Sequence, residues 1–184
     1  MSPEEYLAFD DRADYKSEYY NGKMSAMAGA SLNHNGLTFE LSGILGAQLA
    51  GKGCQGLSSD MRVRVPATNL YAYPDMTIVC GPPKVEHNCL LNPVVIVEVL
   101  SPSTEGFDRG RKFDHYQTIQ SLAEYVTVAQ DRMQLVVHSR TPEGNWLMRS
   151  ATSPEDIVEL ASIGCHIPLG ELYRGIDFTP VAAI

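Results

Sequence analysis

The chain has 184 residues, 44% of them hydrophobic and 20% charged, and it carries a net charge of −8. That length suits one domain, residues 1–184, able to bury a core without covalent staples, and no apolar run approaches the roughly 20 residues that a membrane helix needs. An acidic balance speaks against non-specific attachment to nucleic acid through a broadly basic surface, but not against a local cleft.

The N-terminal Met1-Ser2-Pro3-Glu4-Glu5 lacks the basic and apolar regions of a signal peptide, which predicts a cytoplasmic protein. Ser2-Pro3-Glu4-Glu5 also reads as a helix start, with a capping hydroxyl, a first-turn proline and acids favoured by the dipole. The helix should run through Phe9. Residues 16–28 centre on Asn21-Gly22, the strongest short signal for a tight hairpin, and give two short strands with Glu18 on the first. The longest helix follows: Leu37, Leu41, Ile44, Leu45 and Leu49 fall on one face, with Ser31 or Asn33 as cap and Gly51 and Gly53 at the exit.

Met61-Arg62-Val63-Arg64-Val65 alternates strictly, the pattern of a half-exposed strand ended by Pro66. Residues 73–79 read as a strand carrying Asp75. The run 94–100 is apolar except for Glu98, as in a central strand covered on both faces. Ser101-Pro102-Ser103-Thr104 breaks it, and a helix over 108–122 follows, with Asp108 as its N-cap and Phe113, Tyr116 and Ile119 on one side. Strands are expected over Glu124–Ala129 and 134–139, then a turn at Pro142-Glu143-Gly144. Beyond Trp146 come short strands and a polar stretch over 151–159.

Cys54, Cys80, Cys89 and Cys165 are scattered without a C-x-x-C pair, so four free thiols are expected in a reducing compartment. Cys80, His87 and Cys89 lack a second close ligand pair, with Pro82-Pro83 between them, and this argues against zinc. Ser101 and Ser103 lack the glycine-bounded elbow of a serine hydrolase.

The two acids in apolar surroundings, Asp75 and Glu98, carry most of the functional information. A carboxylate removed from water costs several kcal/mol unless it is paired or bound to a cation. If their strands are neighbours, both can reach one Mg²⁺ or Mn²⁺, with the Val99 carbonyl as a further hard oxygen ligand. Such an ion favours phosphodiester hydrolysis, and a nearby lysine completes the chemistry. Plainer readings stand beside these. Asp75 is also a turn residue after proline, and Glu98 also fits a buried pair with an arginine. Lys112 is also a solvated lysine beside Arg109 and Arg111. Glu18 is also an ordinary acid near a hairpin, and His34 a helix-start cap rather than a base.

Pro74-Asp75, then Glu98-Val99-Leu100-Ser101-Pro102-Ser103-Thr104, then Lys112-Phe113 and Tyr116, resemble the Uma-type restriction endonuclease family. The resemblance extends to Tyr19-Tyr20-Asn21-Gly22-Lys23, Met27-Ala28-Gly29, Asn33-His34-Asn35 and Ser58-Ser59-Asp60-Met61-Arg62-Val63, and spans residues 15–175. It implies an α/β (α+β) restriction-endonuclease-like fold, a mixed central sheet flanked by helices, with metal on Asp75 and Glu98. It also implies a supporting acid at Glu18. The superfamily's lysine two places after Glu98 is here Leu100. The implied substitute is Lys112 from the following helix, with Tyr116 one turn on and both lining the cleft with His34.

The expectation is therefore a Mg²⁺- or Mn²⁺-dependent endodeoxyribonuclease acting on DNA, as a homodimer because cyclic dimers are the commonest assembly. Leu100 and the acidic surface keep a second expectation open: a nuclease-fold nucleic-acid-binding or protein-interaction module that no longer cuts. A third is a phosphodiesterase acting on RNA or a small nucleotide.

Overall fold

The computed structural model describes residues 1–27, 29–100 and 107–179. The expected break at Ser101-Pro102-Ser103-Thr104, the hairpin residue Ala28, and the side chains of Asp108 and Arg109 lie outside the described residues and side chains.

Local signals at the N-terminus act as read. Helix α1 (Pro3–Asp10) opens with a full capping box, in which the Ser2 hydroxyl accepts from the Glu5 amide and the Glu5 carboxylate accepts from the Ser2 amide. Strands β1 (Ser17–Tyr20) and β2 (Lys23–Ala26) are joined through Asn21 and Gly22, whose φ angles of 47° and 84° match the right-handed twist of a hairpin. Helix α2 (Leu32–Leu49) is capped by Ser31, with Leu37, Leu41, Leu45 and Leu49 buried along one stripe.

The central sheet contains β3 (Cys54–Ser58), β6 (Met76–Cys80), β9 (Val95–Leu100), β10 (Glu124–Ala129), β11 (Leu135–Arg140) and β12 (Trp146–Ala151), in the spatial order β12-β11-β10-β9-β6-β3. It is mixed: β9 and β10 run parallel, whereas β6 is antiparallel to β9. One face, carrying Ile78, Val95, Val97 and Val99, packs under α2. The hairpin of β13 (Ile157–Leu160) and β14 (Cys165–Pro168) and the short α4 (Leu169–Leu172) close that core.

The opposite face, with Val79, Ile96 and Tyr125, is covered by a second sheet and by α3 (Phe113–Tyr116). That sheet adds β4 (Arg62–Val65), β5 (Leu70–Ala72), β7 (Val85–Glu86) and β8 (Cys89–Leu90) to the N-terminal hairpin, in the order β2-β1-β5-β4-β8-β7. The fold class is thus the expected mixed α+β arrangement, with the central strand β9 buried along its whole length.

Four expectations need correction. Arg62 and Arg64 do not share an exposed face, because β4 is buried between β5 and β8 and Arg62 is only 5% exposed. Asp75 does not lie within a strand but at the entrance of β6, since β5 ends at Ala72. The helix after β9 is not one continuous element: a π-helical turn over Phe107–Lys112 leads into α3, which ends at Tyr116. Beyond it the carbonyls of Gln117, Ile119 and Leu122 go to the Arg140 guanidinium instead of a helical ladder. Finally, Cys54 and Cys80 stand directly opposite in the β3–β6 ladder and form a disulfide, so the expectation of four free thiols fails; Cys89 and Cys165 are free and buried.

Two measurements check this architecture. Denatured, unreduced protein should titrate two thiols, and reduced protein four. Leu41→Ala, at a site 1% exposed between α2 and the sheet, should lower the unfolding free energy by about 2–5 kcal/mol in denaturant titration; a loss under about 1 kcal/mol would contradict the packing described.

Candidate active site

Alternation along β9 turns Val95, Val97 and Val99 toward α2 and leaves Glu98 facing the other layer with Ile96. Its side chain is 5% exposed in a strand buried along its whole length, so its charge must be met from outside the sheet. Lys112, ending the π-helical turn, brings Nζ to 3.3 Å from Glu98 Oε1, and the Tyr116 hydroxyl donates to the same oxygen at 3.1 Å. Burial, and then the Glu98 charge, hold the Tyr116 phenol well above its ordinary pKa, so it remains a donor. Leu100, at the position where the superfamily carries lysine, is buried core.

The hairpin supplies a third charge. Glu18 Oε1 lies 2.9 Å from Lys112 Nζ, so one ammonium bridges two carboxylates. Among the described residues that oxygen accepts no hydrogen bond of good geometry, and its link to the lysine is ionic.

Asp75 enters from the neighbouring strand. With Met76 opposite Val97 in the ladder, Asp75 comes to the same end of the sheet as Glu98. The Val99 amide donates to Asp75 Oδ2 at 2.7 Å, and His34 Nε2 lies 3.2 Å from both carboxylate oxygens. His34 is held there by the start of α2: its amide donates to the Ser31 cap at 3.1 Å, and Asn33 bonds the carbonyls of Gln130 at 3.1 Å and Asp177 at 2.8 Å.

Glu18, His34, Asp75, Glu98, Val99 and Lys112 all line one cleft of about 1040 Å³. Tyr116 does not: it is fully buried and supports Glu98 from behind. Sequence reasoning missed Lys16 and Lys23, which flank the hairpin and face the same cleft as Arg111. His115 and His138, by contrast, are packed against aromatic rings, and burial lowers their pKa values.

The donor set bears on which metal the site suits. Among the described residues no three His, Cys, Asp or Glu side chains are grouped as a closed cage. What the cleft offers is a pair of strand-end carboxylates, Asp75 and Glu98, the Val99 carbonyl, and the under-bonded Glu18 oxygen. Hard oxygens in an open cleft suit Mg²⁺ or Mn²⁺, which bind through one or two carboxylates and retain waters, and do not suit a structural zinc.

A family model described as "Uma2: Putative restriction endonuclease" matches residues 3–169. Among curated relatives, "Uncharacterized protein slr1290" of Synechocystis sp. (strain ATCC 27184 / PCC 6803 / Kazusa) is 35% identical over 179 residues, covering 97% of this chain and 94% of its own. "Uncharacterized protein sll1609" of the same organism is 36% identical over 151 residues, covering 80% and 85%. A crystal structure described as "a putative nuclease belonging to DUF820" from Anabaena variabilis ATCC 29413 superposes with a TM-score of 0.80 at 15% identity, over 95% of this chain and 98% of that one. At that identity the superposition establishes a shared fold.

Removing one member of a buried charge pair leaves the other without a partner, at a cost of about 3–5 kcal/mol. Lys112→Ala should therefore destabilise the protein by an amount in that range, and the Glu98→Ala, Lys112→Ala double variant by less than the sum of the two single changes. Additivity in a double-mutant cycle read by denaturant unfolding would show that the two groups do not interact.

Proposed function

This chain belongs to the Uma2 restriction endonuclease family, and we propose that it is a Mg²⁺- or Mn²⁺-dependent endonuclease that hydrolyses phosphodiester bonds in DNA. The observation that carries the reading is the meeting of Glu98, Lys112 and Glu18 beside Asp75 in one open cleft. Asp75 and Glu98 would hold the ion, with the Val99 carbonyl as a third oxygen. When bound, such an ion supplies Lewis-acid charge at the phosphoryl oxygen and acidifies the attacking water.

The chain's own residues supply the rest. Lys112 already stands between two carboxylates, so its ammonium is fixed where it can hydrogen-bond the nucleophile and stabilise charge developing on the phosphate. It takes the place of the lysine that Leu100 lacks, arriving from the π-helical turn instead of the strand. His34 and the Val99 amide orient Asp75, so the carboxylate need not reorganise when substrate arrives. Lys23 and Arg111, with Lys16 paired to Asp60 beside them, bring cationic groups to the cleft of a chain of net −8, which suits a phosphate backbone contacted only in the cleft.

A homodimer would bring two clefts to the two strands, and Leu32 and Phe39, 88% and 77% exposed and two turns apart on α2, offer apolar surface for one. In a reducing compartment the Cys54–Cys80 pair would have to withstand the thiol pool. A second reading, a non-cutting nucleic-acid or protein-binding module, draws on Leu100 and on the occupation of Glu98 by Lys112 and Tyr116.

Supercoiled plasmid incubated with pure protein and Mn²⁺ or Mg²⁺ separates the two. The endonuclease should nick it, lose activity on chelation, and lose at least about 100-fold in rate in Glu98→Ala and Lys112→Ala, as removal of a charge-stabilising group does. Full activity in folded Glu98→Ala would sink the proposal, and chelator-insensitive binding without turnover would favour the module.

A further inference from the structure

Asp10, the last residue of α1, has a side chain 1% exposed, and its two oxygens serve two different strands. Oδ1 accepts from the Ser17 amide at 3.1 Å and from the Ser17 hydroxyl at 2.8 Å. Oδ2 accepts from the Tyr73 hydroxyl at 2.5 Å and lies 3.0 Å from Arg62 Nη2. Arg62 Nε donates to the Tyr73 oxygen at 2.9 Å, and Nη2 also reaches Asp11 at 2.9 Å. Ser17 directly precedes Glu18, and Tyr73 is separated from Asp75 only by Pro74.

We propose that Asp10, Arg62 and Tyr73 are positioning residues that aim the Glu18 and Asp75 carboxylates into the cleft from one buried hub. The proposal rests on the nuclease reading in so far as it takes those two acids as working groups.

The two arms are mechanically short. Ser17 has its amide and hydroxyl on Asp10 and its carbonyl on the Tyr6 hydroxyl at 2.5 Å, so the backbone entering Glu18 has no freedom left. On the other arm, proline fixes its own φ near −65° and confines the residue before it to extended conformations. Anchoring the Tyr73 ring therefore narrows the directions in which Asp75 can leave Pro74, and the Val99 amide on Asp75 selects among them. Tyr73 is 7% exposed, and burial, followed by its bond to Asp10, pushes its phenol up to about 12, so the hydroxyl remains a donor. Burial works against the Arg62 guanidinium, but its bonds to Asp11 and Tyr73 push its pKa up, and it remains a charged donor.

A buried ion pair adds little stability over well-packed apolar residues of the same volume. What it adds is direction, since each bond here has a fixed donor and acceptor geometry that a leucine contact lacks. Asp10 and Arg62 lie behind the cleft wall, whereas Tyr73 also lines the cleft. The hydroxyl is the part of Tyr73 tied to the hub, and the hub has no hydrogen bond to Glu98 or Lys112 among the described residues, so removing that hydroxyl should act on chemistry through Asp75 and Glu18.

Tyr73→Phe removes one hydroxyl and nothing else, and Asp10→Asn, nearly isosteric, repeats the test if the first variant does not fold. The reporter is the Val99 amide in ¹⁵N-labelled, metal-free protein, because that N–H donates to Asp75 Oδ2. In the variant its resonance should move upfield and its exchange should quicken, while amides of β11 and β14 stay put; a purely structural loss would loosen all of them together. With Mn²⁺ and plasmid, kcat should fall about 10–100-fold with KM little changed, the usual penalty for disturbing groups that orient ligands. An unmoved Val99 amide in a folded variant overturns the proposal whatever the activity. A wild-type protein that cuts nothing, with Val99 still displaced in the variant, leaves the positioning hub standing and removes the nuclease reading.

Discussion

The structure is organised around one carboxylate held almost wholly out of water at the floor of the cleft. Glu98 sits in the middle of the central sheet, between a parallel and an antiparallel neighbour, and the counter-charge described for it, Lys112, comes from outside the sheet. An uncompensated charge there would exceed the stabilisation of most single interactions in the molecule. Every element near it is arranged accordingly: the π-helical turn delivers Lys112, α3 delivers Tyr116, and the hairpin adds Glu18 to balance the lysine. A wider helical turn is a common device for redirecting side chains at functional sites.

A second buried acid shows what a purely structural solution looks like. Glu124, 2% exposed at the start of β10, is met by the Ser139 hydroxyl and by the amide of Ala161 and the amide and hydroxyl of Ser162. These are neutral donors, they lie away from the cleft, and they knit the β13–β14 region to the sheet. Glu98 has instead a cation and a proton donor at the edge of an open cavity. The same physical problem, a carboxylate in apolar surroundings, has thus been solved once for architecture and once in a way that leaves chemistry available.

The elements that the sequence revealed most clearly are those whose signals are local. The capping box at Ser2 and Glu5, the Asn21-Gly22 turn, the leucine stripe of α2 and the apolar β9 each depend on residues a few positions apart. The misread segments depend on partners far along the chain. Alternation makes Arg62 look exposed because it cannot reveal that Asp10 and Tyr73 wait behind it. The helix after β9 looks longer than it is because nothing near it announces that Arg140 takes its carbonyls. Cys54 and Cys80 look like free thiols because their opposition follows from a ladder between residues 26 positions apart.

For the site, sequence alone determined its ingredients: a carboxylate in an apolar strand, a Pro-Asp dipeptide, a lysine in a following helix, and the motif order that marks the Uma2 family. Burial cost makes Glu98 conspicuous in any fold, which is why it could be found without coordinates. Tertiary structure decided which groups meet. It gave Glu98 to Lys112 and Tyr116, gave Asp75 to His34 and the Val99 amide, and hid Tyr116 behind the cleft wall. Those choices depend on strand register and on where a π-helical turn sets down a side chain, and both are fixed by packing between residues distant in the chain.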